Sequence, residues 1–175
     1  MTIKTIFLDR DGVVNIEKNY LNKISDFEFI QGVFESCNYL QDLDYQIIIV
    51  TNQSGIGRGY YTENDFQKIT SWMLNQFRNK GINILDVMHC PHLPSDLCFC
   101  RKPKPGMFIN AKNKFNIDMK KSWMVGDKEE DILAANASNI FNTVLVRSGH
   151  KINEDCSKAK FFLESIKDLS TVVKI

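Results

Sequence analysis

Only four prolines and nine glycines occur in the 175 residues, too few for a low-complexity linker or a disordered tract. Long apolar runs are also missing. "IIIV" at 47–50 is typical of the longest, whereas a membrane-spanning helix needs about 20 such residues. The opening "MTIKTIFLDRDG" lacks the apolar segment and cleavage site of a signal peptide, so a cytoplasmic location is expected. Nor is there an excess of one charge. With 22 Lys and Arg against 21 Asp and Glu, the chain has no general attraction for nucleic acid or an anionic membrane, and neither is expected as a partner. An anionic ligand must therefore be held by individually placed groups. The five cysteines are odd in number, and three cluster with a histidine between 90 and 100, which suits a metal site better than a disulfide framework.

What is present is enough for one packed unit. At 43% apolar, residues 1–175 read as a single domain able to bury its own core, with a metal-binding loop at 90–100. A monomer is expected. Five segments read as strands: 3–9, 45–52, 84–90, 122–127 and 142–147. They are short, rich in β-branched residues and nearly continuously apolar, as strands buried on both faces are. Helical patterns lie between them. The clearest spans 62–80, where Phe66, Ile69, Met73, Leu74 and Phe77 repeat at helical spacing behind a Thr62 cap with Asp65 three residues on. Helices are also expected over 32–43, 106–115 and 129–138, with a short strand and a helix after 160. The alternation implies an α/β fold: a doubly wound, Rossmann-like parallel sheet with helices on both faces.

In such a sheet ligands bind beyond the carboxyl ends of the strands, where Asp9, Thr51 and Asp127 fall. Asp9 and Asp11, two apart at the exit of the first strand, can reach one small volume, and Gly12 permits a tight turn there. A lone D-x-D after a strand is ordinarily a turn or cap signal. Here it is followed in order by "VTNQSG" (50–55), "CRKPKPG" (100–106) and "MVGDKEED" (124–131). Cys90, His92, Cys98 and Cys100 form C-x-H-x5-C-x-C, a count that fills a tetrahedral zinc shell and leaves no open position for a reacting water. The site therefore reads as a structural clamp on the loop that carries Arg101 and Lys102. His89 is expected to point away from it, Cys37 to pack in the core, and Cys156 has no assigned role.

With these four motifs in this order, the chain resembles the haloacid dehalogenase superfamily of phosphotransferases over about residues 3–150. The resemblance implies that Asp9 is the nucleophile and Asp11 the general acid and base, a task that near pH 7 needs a raised pKa. It further implies that Thr51 and Lys102 stabilise the phosphoryl group. Mg²⁺, which prefers oxygen ligands and keeps waters and substrate phosphate in its shell, would be held by Asp9, Asp127 and the backbone carbonyl of Asp11. Asp131 is expected to orient a metal-bound water or Lys128, and to complement the helix N-terminus as a negative charge.

Forty positions separate Asp11 from Thr51 and fifty-one separate Thr51 from Lys102, so no cap domain fits. Capless members with a zinc loop resemble two groups, the heptose 1,7-bisphosphate phosphatases and the histidinol-phosphate phosphatase domains. "NYLNKISDFEFIQGV", "TNQSGIGRGYYTE" and "MVGDKEEDILAA" look like the first group, whose substrate is a sugar phosphate used in making bacterial surface polysaccharide. The five-residue gap between His92 and Cys98 resembles the second. By resemblance, substrate contacts come from Glu17, Lys18, Asn19, Tyr20, Asn52, Gln53, Ser54, Arg101 and Lys128. A phospho-accepting signalling domain also uses an aspartate, Mg²⁺ and a lysine, but it needs no acid two residues beyond the nucleophile, and an idle zinc-loop module needs none of these groups. Arg101 is suited to a bidentate grip on a second phosphate. Arg101→Ala is expected to lower kcat/KM for a sugar bisphosphate far more than for a monophosphate; equal losses on the two would exclude that role.

Overall fold

A computed structural model describes residues 2–174. The elements run β1 (Thr5–Leu8), α1 (Val33–Asp42), β2 (Gln46–Asn52), α2 (Ser54–Gly57), α3 (Glu63–Asn79), β3 (Ile84–Cys90), α4 (Gly106–Phe115), β4 (Trp123–Gly126), α5 (Glu129–Ala137), β5 (Asn142–Val146) and β6 (Phe161–Leu163). All six strands are parallel, in the order β3-β2-β1-β4-β5-β6. The chain thus winds outward from β1 through β2 to β3, then returns to the other side of β1 and winds out again. The reversal lies at the β1–β4 pair, where a ligand crevice opens in folds of this kind.

Strand side chains alternate between two cores, because successive Cβ atoms point to opposite faces. Ile6, Leu8, Ile47, Ile49 and Val125 face α1, α3 and the C-terminal segment, through Val33, Cys37, Leu40, Ile69, Met73, Phe77, Ile166 and Leu169. Phe7, Ile48, Val50 and Met124 face α4 and α5, through Met107, Phe108, Ala111, Ala134 and Ala135. This double burial is why the strands read as continuous apolar runs rather than as alternating ones.

The expected elements form, with ends a residue or two shorter at several places. Asp9 lies outside β1, yet its N–H still donates to the Val125 carbonyl at 2.9 Å, so the nucleophile candidate stays in register with β4. The Thr62–Asp65 capping box is present, with Asp65 N–H donating to Thr62 Oγ1 at 3.1 Å and Thr62 N–H to Asp65 Oδ2 at 3.0 Å. Two details differ from the sequence reading. The single turn α2 was not anticipated, and the last helical segment, Ile166–Thr171, is 3-10 rather than α. Cys37 is fully buried, as its place among Val33 and Leu40 implies.

The segment from Gly12 to Gly32 has almost no regular structure, but it is pinned. Ile16 N–H bonds to the Glu28 carbonyl at 2.8 Å and Ile30 N–H to the Val14 carbonyl at 3.0 Å, while Phe27 and Phe29 pack against Trp72 at 5.3 and 5.8 Å between ring centroids. Each such aromatic pair adds about 0.5–1.5 kcal/mol beyond area burial. That anchoring leaves residues 17–20 at the rim of the strand ends.

Candidate active site

Because β3, β2, β1 and β4 are neighbours, the residues that leave their carboxyl ends meet. Asp9 follows β1, Thr51 closes β2, Asp127 follows β4, and Lys102 reaches in from the cysteine loop after β3. All four are buried. Asp9, Thr51 and Lys102 border a cavity of about 290 Å³ lined also by Asp11, Glu17, Asn19, Tyr20, Asn52, Gln53, Ser54, Arg101, Lys128 and Asp131, among others, and a carboxylate oxygen of Asp127 lies within 4.8 Å of one of Asp9.

Lys102 is the electrostatic centre. Its ammonium has three N–H donors and three acceptors: Asp9 Oδ1 at 2.9 Å, Asp131 Oδ1 at 2.5 Å and the Val50 carbonyl at 2.8 Å. Burial works against the charge, but the Asp131 and Asp9 carboxylates outweigh it and hold the ammonium above its ordinary pKa. Burial pushes the Asp9 carboxyl up to about 6 against the pull of Lys102, with Asp131 and Asp11 adding to the rise. Asp131 and Asp127 are raised as well, chiefly by burial. Ligand oxygens of Asp9, Asp127 and Asp131 all lie within 4.8 Å of one another. Three crowded acids with one lysine leave room for more positive charge.

The acids are not equivalent. Asp131 is saturated: beyond Lys102, its Oδ2 accepts the backbone N–H groups of Asp127 and Lys128, both at 3.1 Å. It sits in the first turn of α5 and holds Lys102, and of the expected partners, a metal-bound water or Lys128, it meets Lys128 through the backbone N–H. The reason is geometric, since only the backbone of Lys128 turns toward the helix start while its side chain lines the cavity. Asp127, by contrast, has a buried Oδ1 without a partner among the described residues. An orphaned carboxylate oxygen beside a second acid, Asp9, fits an oxygen-seeking cation such as Mg²⁺.

Asp11 departs from expectation. Burial would raise its pKa, but the Arg10 guanidinium and hydrogen bonds from Asn15, Arg10 and Gln53 prevail and lower it. Arg10 Nη2 lies 3.0 Å from both carboxylate oxygens, Asn15 Nδ2 is 3.0 Å from Oδ1 and Gln53 Nε2 is 2.9 Å from Oδ2. The raised pKa that an acid working near pH 7 needs is therefore absent from the free protein.

Gln53 is a hub rather than a simple ligand contact. Its amide also donates to Thr51 Oγ1 at 2.8 Å and its Oε1 accepts from Tyr61 at 2.6 Å, so the Thr51 O–H remains free to donate. Asn52 is likewise committed, bridging the Lys102 backbone through Nδ2 to the carbonyl and N–H to Oδ1, both at 3.1 Å. Lys18 does not line the cavity. It pairs with Glu28 at 3.2 Å, because the chain pairing between 16 and 28 brings those two side chains together. Arg10, Tyr61, Arg58 and His150, which reach the site or its supports, were not found from sequence. The only signal for Arg10 was its place between the two aspartates; for the others there was none.

The cysteine loop closes on itself. Cys90 Sγ lies 3.0 Å from Cys100 Sγ and 3.7 Å from Cys98 Sγ, and His92 Nδ1 is 3.2 Å from Cys100 Sγ. The four ligand atoms fall within 4.8 Å. Burial opposes ionisation of Cys98, yet the Arg101 backbone N–H and the neighbouring thiols bring it down to about 7. Sulfur and imidazole donors in this number suit zinc. His89 turns away, 3.0 Å from Glu63 and 4.3 Å from the Phe66 ring.

A parallel sheet of this order with an aspartate pair after β1, a threonine at the end of β2, a buried lysine and an acidic pair after β4 defines the haloacid dehalogenase class of hydrolases. Comparison with known proteins agrees. The HAD-hydrolase-like family model matches residues 99–169. The chain is 47% identical to the D-glycero-alpha-D-manno-heptose-1,7-bisphosphate 7-phosphatase of Photorhabdus laumondii, with 90% of each chain covered. It is 45% identical to the D-glycero-beta-D-manno-heptose-1,7-bisphosphate 7-phosphatase of Pasteurella multocida, covering 98% of this chain and 97% of that one. A solved D,D-heptose 1,7-bisphosphate phosphatase from B. bronchiseptica, complexed with magnesium and phosphate, superposes with a TM-score of 0.85 at 27% identity, covering 95% and 96%. The chain belongs to the family formed by these phosphatases.

Removing the Lys102 cation should leave Asp9 and Asp131 facing each other uncompensated. Lys102→Met is expected to lower the stability of the metal-free protein by about 3 kcal/mol or more, as breaking buried ion pairs does, measured by urea unfolding at neutral pH. A stability equal to that of the unaltered protein would mean that the ammonium is not the counter-charge of the pair.

Proposed function

We propose that the chain is a Mg²⁺-dependent phosphatase that removes the C7 phosphate of D-glycero-D-manno-heptose 1,7-bisphosphate, on the way to nucleotide-activated heptose for bacterial surface polysaccharide. The near full-length similarity to the heptose phosphatases carries the substrate, and the buried Asp9–Lys102–Asp131 cluster at the strand ends supports the chemistry.

Asp9 attacks phosphorus, the bond to the sugar oxygen breaks, and the leaving alkoxide takes a proton from Asp11. Water, deprotonated by Asp11, then cleaves the acyl phosphate on Asp9 and releases inorganic phosphate. Asp11 starts as a carboxylate held down by Arg10, so the protonated form has to come with substrate: a phosphate dianion placed beside it is the like charge that raises a carboxyl pKa. Thr51 has its O–H free for a phosphoryl oxygen. Lys102, with every N–H engaged in the free protein, reaches the phosphoryl group by exchanging one acceptor, and Asp9 is the one whose charge changes in the reaction. Mg²⁺, held by Asp9, Asp127 and the Asp11 backbone carbonyl, supplies positive charge to the phosphoryl oxygens when bound.

Glu17, Asn19, Tyr20, Ser54, Arg101 and Lys128 form the wall against which the sugar and its second phosphate rest. Gln53 and Asn52 act behind them, on Asp11 and Lys102. In this reading residues 1–175 act as one domain and as a monomer, because one chain contributes the whole site. A reducing compartment such as the cytoplasm would keep the cysteine loop reduced, and among the described residues no helix is long and apolar enough to cross a membrane. Cys90, His92, Cys98 and Cys100 hold a structural zinc that fixes the 90–100 loop and, through it, Arg101 and Lys102. The short His92–Cys98 gap favours a second reading, histidinol-phosphate phosphatase.

The rates of phosphate release from the two substrates, compared in the presence of Mg²⁺, distinguish the two. We expect kcat/KM for heptose 1,7-bisphosphate to exceed that for histidinol phosphate by orders of magnitude, and Asp9→Asn to release no phosphate from either. A preference for histidinol phosphate would overturn the substrate. For the loop, stripping the metal with a zinc chelator is expected to lower the thermal midpoint and kcat/KM together, both returning on addition of zinc. Retention of both properties, assayed with Mg²⁺, by protein shown by elemental analysis to be zinc-free would remove the clamp.

A further inference from the structure

The residues after β5, Ser148, Gly149 and His150, are absorbed by neither the phosphoryl chemistry nor the substrate wall, yet they enclose Asp127. Ser148 Oγ donates to the Gly12 carbonyl at 2.7 Å, mooring this turn to the loop that bears Asp9 and Asp11. Gly149 lies so close to Asp127 that any Cβ there would overlap its carboxylate, and a Cβ at Gly12, whose φ is +88°, would overlap the same carboxylate. His150 then closes the enclosure. Its backbone N–H donates to Asp127 Oδ2 at 3.0 Å, and its imidazole Nδ1 meets the same oxygen at 2.6 Å. Arg147, just ahead, is itself fixed by Glu154 at 2.7 Å and Glu164 at 2.8 Å. Both donors fall on one oxygen, and the other, Oδ1, is buried without a partner among the described residues.

We propose that His150 is a positioning residue for the cation: by donating twice to Asp127 Oδ2, it turns Oδ1 alone toward the Mg²⁺ site. The imidazole contact requires the proton to be on Nδ1, and it also limits rotation of the carboxylate about its Cβ–Cγ bond, so the ligand oxygen is preorganised rather than recruited. Outer partners of this kind typically contribute 10–100-fold to metal affinity. The side chain is 39% exposed, so truncating it removes little packing. The backbone donor remains in any variant.

This inference rests on the Mg²⁺ reading, and calorimetric titration of Mg²⁺ into metal-free protein separates the two. His150→Ala is expected to weaken Mg²⁺ binding by about 10- to 100-fold with little change in the metal-free thermal midpoint. His150→Asn, whose amide Nδ2 can take the place of Nδ1, is expected to restore most of the affinity. Equal affinity in wild type and His150→Ala, or tighter binding in His150→Ala, would overturn the role of His150 alone. A loss that His150→Asn does not repair would overturn the Nδ1 donation. Failure of the wild-type protein to take up Mg²⁺ would overturn the metal reading and this inference with it.

Discussion

A single buried ammonium holds four separate parts of the chain together. Lys102 comes from the loop after β3, and its three donors end on Asp9 after β1, Asp131 in α5 and the Val50 carbonyl of β2. An isolated charge in such a place would cost several kcal/mol of desolvation. It is tolerated because two carboxylates and a carbonyl complete its shell, and they are tolerated because it is there. The rest of the site depends on this mutual compensation. With Lys102 fixed, Asp9 has a defined direction and the first turn of α5 is drawn toward β1.

The same logic accounts for how much of the molecule is devoted to placing that lysine. Asn52 grips its backbone on both sides. The cysteine and histidine side chains fold the loop ahead of it into a closed knot, and Lys104 Nζ donates to the Cys98 carbonyl at 2.6 Å. Loops ordinarily carry function at the cost of mobility. Here the loop is tied by local hydrogen bonds, which suits an enzyme whose chemistry is mainly positioning and charge stabilisation.

Much of this was readable from residues alone because the signals were local. The four strand-end motifs, the capping box at Thr62, the C-x-H-x5-C-x-C loop and the core position of Cys37 each depend on spacing within a few residues. What escaped depends on contacts across the fold. Arg10 and Gln53 converge on Asp11 from positions 43 apart, and the resulting drop in its pKa reverses the state expected of a general acid. Lys18 was assigned to the substrate by resemblance, yet a chain pairing that no short-range pattern announces turns it to Glu28. Asp131 was expected to orient a metal-bound water or Lys128, and its ion pair with Lys102, 29 positions away in sequence, was not anticipated.

By itself the sequence determined the alternation of buried strands and helices, the placement of acids and a threonine at strand ends, and a loop with three cysteines and a histidine ahead of the lysine, since hydrophobic period and residue spacing are properties of neighbouring residues. The tertiary structure decided which carboxylate oxygens are satisfied and which is left bare, and it brought His150 against Asp127 across 23 positions. Protonation and orientation follow from the total field and hydrogen bonding at a point in space, and residues far apart in the chain supply both.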